Sequence, residues 1–549
     1  MAIKTSWVLP PHTIGGLDHI GTQGPCILIY SQLLPGITNV TDRARYYSFY
    51  PWLIRSYAER DSDRKNFDAF LEAYRKADCL FTMIAERHAQ VMGDDAARHG
   101  PAMVGREKLN IAVRLIGEGK SVRLSTYATR EESGERYFAN KLGGLGQYYA
   151  GTLTQLDILA AVEKPWLSYT HERGEPIAQA FDRSVDGRSF WQAVDADTVS
   201  AQTLDALRDF CPCCLPSRHS ERDALLDILF DRKSEFEAEG IQRRKSLALL
   251  LHLAGALQAA ELTAVDEPTF RAAVYTETLA GGTAWCPPAH LAHTRSAWAY
   301  YVRNDLMSVA MQKAFAIALT TLATQPAPPA SIEEFSQSLA SRPELVKALD
   351  KLKAKTFGAL CRSLESGAPA LGEFMADGHE LAWAAARVSG ERQRLDLEPA
   401  FLASVVTVLA LLRMREDQGA PAYGNLALDL TQLQDSPINL TSFRERCVKW
   451  NDMALSAVVV DLIGWILQTH LRVALRKLRQ SSTATFRIHP TERGIEPHGE
   501  VPIPAKTNPR IRQAIKMLWD LGALAREPDG SGDLRATALG IQLFEAAHA

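Results

Sequence analysis

A chain of 549 residues is too long for one hydrophobic core, and its length points to three or four domains. Apolar residues make up 46% and charged residues 23%, a globular balance that excludes a disordered chain. The formal net charge of −3 excludes a global attraction to nucleic acid or anionic lipid, so such binding requires a local basic patch.

Residues 1–16, MAIKTSWVLPPHTIGG, lack the apolar run and small-residue cleavage site of a secretory signal, and eight cysteines are too sparse for a disulfide scaffold. A cytoplasmic protein with reduced thiols is expected. The longest apolar runs, Phe401–Leu412 and Met453–Leu467 (the latter broken by Asp461), fall short of the ~20 residues that cross a bilayer, so no membrane partner is expected.

Residues 30–55 read YSQLLPGITNVTDRARYYSFYPWLIR. Pro35-Gly36 supplies a turn, and Thr41 or Asp42 can cap a helix that carries Tyr46, Tyr47, Phe49, Tyr50, Trp52 and Leu53 among Arg43, Arg45 and Arg55. Arginines interleaved with aromatics can stack on single-stranded nucleic acid. For Arg43, Arg45, Tyr46, Tyr47 and Trp52 a core helix with rim arginines is the favoured reading, because aromatic density of this kind more often serves packing.

Periodic apolar residues predict helices over Phe67–Val91, Leu225–Phe236, Lys245–Leu262, Trp298–Leu322, Phe401–Met414 and Ala454–Leu478. Period-two alternation predicts strands only over Val122–Tyr127 and Thr485–His489. Gly143-Gly144-Leu-Gly146 lacks the Gly-Lys-Ser/Thr ending of a phosphate loop and reads as close packing. Three prolines in Gln325–Ala330 end the Trp298 helix, and further breaks fall over Glu416–Asn439 and Pro490–Asn508.

Cys211, Cys213, Cys214 and His219 form one candidate metal half-site, and Cys286, His290 and His293 a second. Zinc knuckles use Cys-x-x-Cys, whereas one residue or none separates these cysteines. A buried turn of small apolar thiols is the favoured reading, with no metal and no other cofactor expected.

At the C-terminus, Asn508-Pro509 can open a helix that ends at Gly522. Ala523–Glu527 and Asp533–Thr537 flank the turn Pro528–Gly532 as a hairpin, and a short helix follows. This order, with Leu521, Gly522, Leu524, Thr537, Leu539 and Gly540, resembles winged-helix domains. Residues 470–516 hold ten basic side chains against three acidic ones, within a chain of net −3. Arg472, Arg476, Lys477, Arg479, Arg510, Arg512, Lys516 and Arg535 are the candidate phosphate contacts, and reversing Arg510, Arg512 and Lys516 is expected to flatten the salt dependence of binding.

The expected fold is mainly α and multi-domain: a helical region over 1–325 with a break near 185–200, a second over 331–480, and a winged-helix-like module over 481–549 with minor β hairpins. Leu33, Leu34, Pro35, Gly36, Thr41, Arg43, Ala44, Arg45, Tyr46, Tyr47, Phe49, Pro51 and Trp52 resemble the LLPG…T-x-RARY-x-x-F-x-PW segment of an uncharacterised bacterial family found among phage-defence genes. The resemblance covers about 25 residues, implies partner proteins such as a helicase or nuclease, and carries no catalytic residue. The leading expectation is a non-catalytic nucleic-acid-associated or complex-assembling subunit of an anti-phage system. A zinc-dependent hydrolase or nuclease-type enzyme, and a structural adaptor whose winged helix binds protein, are the alternatives.

Overall fold

The computed structural model describes residues 18–547 apart from 61–65, 94–97, 161–166, 263, 368–373, 376–377, 389–395, 421–425, 427, 430, 432, 434–435, 482–483 and 527–532. Helix accounts for 66% and strand for 5%, and the strands among the described residues form antiparallel pairs, so the fold is mainly α. The chain divides into two compact units, each built from two separated stretches: one from Met1–Gln32 and Pro268–Pro509, the other from Leu33–Glu267 and Arg510–Ala549. This partition cuts across the expected sequential regions 1–325, 331–480 and 481–549. The proline-rich break shows why. The helix Ala289–Ala323 stops there and the next begins at Ile332, but both lie in one unit, and Pro329 O accepts a hydrogen bond of 2.8 Å from Ile495 N.

In the Pro268–Pro509 unit the core element is the helix Ala289–Ala323, buried on nearly every side, against which Leu402–Asp417 and Leu455–Ser481 pack. Asp305, buried in this helix, meets Arg271 and accepts from the amide (2.9 Å) and hydroxyl (2.8 Å) of Thr507. Ala289–Ala323 and Leu455–Gln480 are long and apolar enough to cross a membrane by length and composition, with 83% and 61% of their most apolar windows buried in the fold. Counting uninterrupted apolar runs missed them, because single charges such as Asp305 and Asp461 break a run without breaking the helix. The expected Thr485–His489 strand is observed over Ile488–Thr491, paired with Gly494–Pro497.

In the Leu33–Glu267 unit, the helices Tyr46–Arg60 and Phe67–Met92 carry the aromatic core. Phe49 stacks on Phe81 at 3.9 Å between centroids, and Trp52 sits among Phe181, Phe190 and Phe210. The first helix opens at Tyr46, so Thr41 and Asp42 do not cap it: Thr41 Oγ1 closes a turn on Thr38, and Asp42 accepts from Gln513 and Lys516. Only Val122–Arg123 of the expected 122–127 strand is extended, pairing with Thr198–Val199, and Leu124–Ala128 turns helical. The predicted 225–236 helix is observed over His219–Leu229. Gly144 brings its amide to Asp78 (3.2 Å), and a Cβ there would lie 2.4 Å from Val104, so the glycine-rich stretch serves close packing. The C-terminal stretch adds the helix Ile511–Asp520, the pair Leu524–Arg526 with Leu534–Ala536, and the helix Ala538–Ala546. Arg510, in the left-handed region at φ 66°, precedes the first of these helices, so Asn508-Pro509 is not its cap; Gly522 (φ 77°) follows its end as expected. The expected turn Pro528–Gly532 lies outside the described residues.

His470 gives the Pro268–Pro509 unit a pH dependence. Its Nδ1–H donates to His19 O (2.8 Å), and its Nε2 accepts from Arg487 N (2.8 Å), which requires the neutral ring. Burial, foremost, holds both His470 and His19 down at about 4. The unfolded chain, with histidines near ~6.5, binds more protons between these values, so stability is complete above ~6.5 and falls as the pH drops towards 4. Melting scans should show the midpoint falling across this window, with a shallower fall in His470→Gln, whose amide keeps a donor and an acceptor. A wild-type midpoint level from pH ~6.5 to ~4.5 would contradict this.

Candidate functional site

The Arg43-Ala44-Arg45 tripeptide lies just before the Tyr46–Arg60 helix, and both arginines are buried. Arg45 binds Glu221 through two parallel contacts, Nε to Oε1 at 3.1 Å and Nη2 to Oε2 at 3.0 Å, with both side chains fully buried. Its Nη1 donates to the carbonyls of Asp209 and Cys211, each at 2.6 Å. Ser48 Oγ donates to the same carboxylate at 2.7 Å, and the guanidinium lies over Phe181. A guanidinium taken out of water demands this saturation, because an uncompensated buried charge costs several kcal/mol.

Arg43 is held on the other side through its terminal nitrogens, while its buried Nε has no hydrogen-bond partner among the described residues. It pairs with Asp520 at 3.0 Å and donates to Arg98 O (2.6 Å) and Pro101 O (3.2 Å), while Ala44 N donates to the Asp520 carboxylate. With Tyr46, Tyr47 and Trp52 at 0% exposure, the segment is core and presents no stacking surface to nucleic acid.

The two loops held by these arginines carry a cluster that the sequence reading did not assemble. His99 lies between Arg98 and Pro101; Cys211 and Cys213 lie where Arg45 grips the backbone; His88 comes from the last turns of Phe67–Met92. His99 Nδ1 is 3.2 Å from Cys211 Sγ, His88 Nδ1 is 3.4 Å from Cys213 Sγ, and one donor atom from each of the four falls within 4.8 Å of every other. The imidazoles meet edge-to-face at 4.4 Å. A hydrogen bond with Cys211, first, and then burial push the Cys213 thiol up to about 12, while a contact with Cys214 pulls it down. Cys214 Sγ turns instead to Arg208 O at 3.7 Å, and His219 is exposed at the start of its helix. Cys286, His290 and His293 belong to the other unit. Spacing could not have found the histidines, because His88 and His99 lie more than a hundred residues from the cysteines.

The basic candidates divide into structural and exposed groups. Lys516 pairs with Asp42 at 2.8 Å, Arg510 donates to Leu34 O, and Arg535 donates to Leu262 O at 2.6 Å. Arg512 is 71% exposed and faces Glu267 at 3.5 Å. Lys477 is buried, with Nζ donating to Asp18 O at 2.7 Å, and Arg476 is half-buried. Arg472 and Arg479 are exposed. Charge reversal at Arg510 and Lys516 would therefore break internal contacts as well as change the surface charge.

Compared with known proteins, the chain matches no family model, no curated protein and no solved structure.

Removing one member of the Arg45–Glu221 pair should be costly. Arg45→Met or Glu221→Leu alone should destabilise the chain by roughly 3–5 kcal/mol, each leaving one buried charge behind. The double variant should lose less than the sum of the two, as read from urea unfolding midpoints. Additive losses would show that the two side chains act independently.

Proposed function

We propose that this chain is a non-catalytic, complex-assembling subunit that docks an acidic segment of a partner protein on the last turns of its Leu455–Ser481 helix. The observation that carries this is a mixed basic and apolar face. Leu475 (46% exposed) and Leu478 (39% exposed) stand in solvent beside the exposed Arg472 and Arg479. Arg472, Leu475 and Arg479 are spaced by three and four residues, which aligns them along one side of a helix. The opposite side, including Val473, Ala474 and Lys477, is buried.

Charge selects an anionic partner, and the leucines select protein over a phosphate backbone, which has no apolar surface to offer. Covering each half-exposed leucine is worth about 1 kcal/mol, and each rim ion pair about 0–1 kcal/mol. The face is thus the centre of a larger contact, since stable interfaces bury at least about 1,000 Å². The internal use of Lys516, Arg510 and Arg535 supports the same choice, because it withdraws phosphate-seeking groups from the C-terminal helix–hairpin–helix. That segment is taken here as a winged-helix-like module with a structural, protein-facing role. A cytoplasmic place in a bacterial anti-phage system, beside a helicase or nuclease, rests on the resemblance of the 30–55 segment.

The test is affinity purification of the full chain from its native cells, run in parallel with and without nuclease treatment, with protein and nucleic acid both quantified. The variant Arg472→Glu, Leu475→Asp, Arg479→Glu should lose a stoichiometric acidic protein partner about tenfold, the change produced by ~1.4 kcal/mol, and should melt as the wild type does. Salt-sensitive loss of nucleic acid in place of protein would reassign the face to a polyanion. Equal retention of everything by a folded variant would remove the face from function.

A further inference from the structure

We propose that His88, His99, Cys211 and Cys213 bind one zinc ion as a closed structural site. Two thiolates and two imidazoles are a donor set that zinc takes in structural sites. With Zn–N near ~2.0–2.1 Å and Zn–S near ~2.3 Å, a tetrahedron places neighbouring donors about 3.3–3.8 Å apart. The two nitrogen–sulfur pairs stand at 3.2 and 3.4 Å, and the widest separation among the four donor atoms is at most 4.8 Å. Closing on an ion therefore requires movements of about 1 Å or less at side-chain ends.

The backbone explains how an unsuitable spacing becomes usable. Cys211 is extended (φ −63°, ψ 136°) and caps the short Pro212–Ser217 turn on which Cys213 sits. The chain reverses within three residues, and both sulfurs face the histidines. Arg45 fixes this turn through the carbonyls of Asp209 and Cys211, and Arg43 fixes the His99 loop through those of Arg98 and Pro101. The donors are thus held by contacts that do not involve the ion.

Zinc binding releases one proton from each of the two thiols, and a divalent ion with two thiolates and two neutral imidazoles has no net charge, which suits a site where His99 and Cys211 are buried. Four protein donors fill the tetrahedron and leave no position for water, so the ion joins the Phe67–Met92 helix, the His99 loop and the Cys211 turn and performs no hydrolysis. This inference is independent of the docking face.

The test is elemental analysis of the purified full chain. One zinc per chain is expected in the wild type, retained in Cys214→Ser and Cys286→Ser, and lost in His88→Ala and Cys213→Ser. Because those last substitutions also disturb a partly buried cluster, the wild type is stripped with chelator and titrated with cobalt(II). A tetrahedral cobalt spectrum with thiolate charge-transfer bands, saturating at one equivalent, is expected. Substoichiometric zinc with no such spectrum in folded protein would overturn the site, as would loss of zinc in Cys214→Ser.

Discussion

The buried pair of Arg45 and Glu221 is the constraint around which the Leu33–Glu267 unit is arranged. A guanidinium and a carboxylate in an interior are tolerable only when their hydrogen-bonding capacity is used, and that requirement recruits neighbours. Glu221 takes two bonds from Arg45 and one from Ser48; Arg45 spends its remaining reach on the carbonyls of Asp209 and Cys211. A helix start at residue 46 and a turn at residue 211 are thereby fixed to one another. Aromatic packing around Trp52 and Phe49 supplies apolar burial but little direction, whereas the pair supplies direction.

Arg43 extends the same logic to both ends of the unit. Through Asp520 it binds the Ile511–Asp520 helix, and through Arg98 and Pro101 it binds the loop with His99. Gln513 and Lys516 add contacts to Asn39 and Asp42, so the returning C-terminal stretch is tied to the segment that opens the unit. Cations that a linear reading assigns to a polyanion are spent on this closure. Arg472, Leu475, Leu478 and Arg479, the exposed basic and apolar face that we propose docks a partner, lie in the other unit.

Helix periodicity made most of the fold legible. The Phe67–Met92, Ala289–Ala323 and Leu455–Ser481 helices follow from apolar spacing, and Gly522 marks a helix end through its left-handed backbone. Partition into units was not legible, because each is closed by stretches far apart in sequence, and a proline run that stops a helix need not separate domains. The strand pattern at 122–127 was overridden after two residues, where Leu124–Ala128 turns helical and buries Leu124, Tyr127 and Ala128. The cysteines were visible, but the histidines that face them were not, since nothing local in His88 or His99 points to residue 211. Arg43 and Arg45 were expected on the rim of a core helix; both are buried, and nothing local marked them as the groups that position that cluster.

Hydrogen exchange resolved by residue tests most directly whether the arginine hub makes the helix start and the two loops one cooperative element. If Arg43 and Arg45 bind them together, the hydrogen-bonded amides of Ser48, Phe49, Met103, Cys211 and Cys214 open with one common free energy, close to that of the whole Leu33–Glu267 unit. Fast exchange at Met103, Cys211 and Cys214 beside strong protection at Ser48 and Phe49 would contradict the account, showing the loops to be independent surface turns.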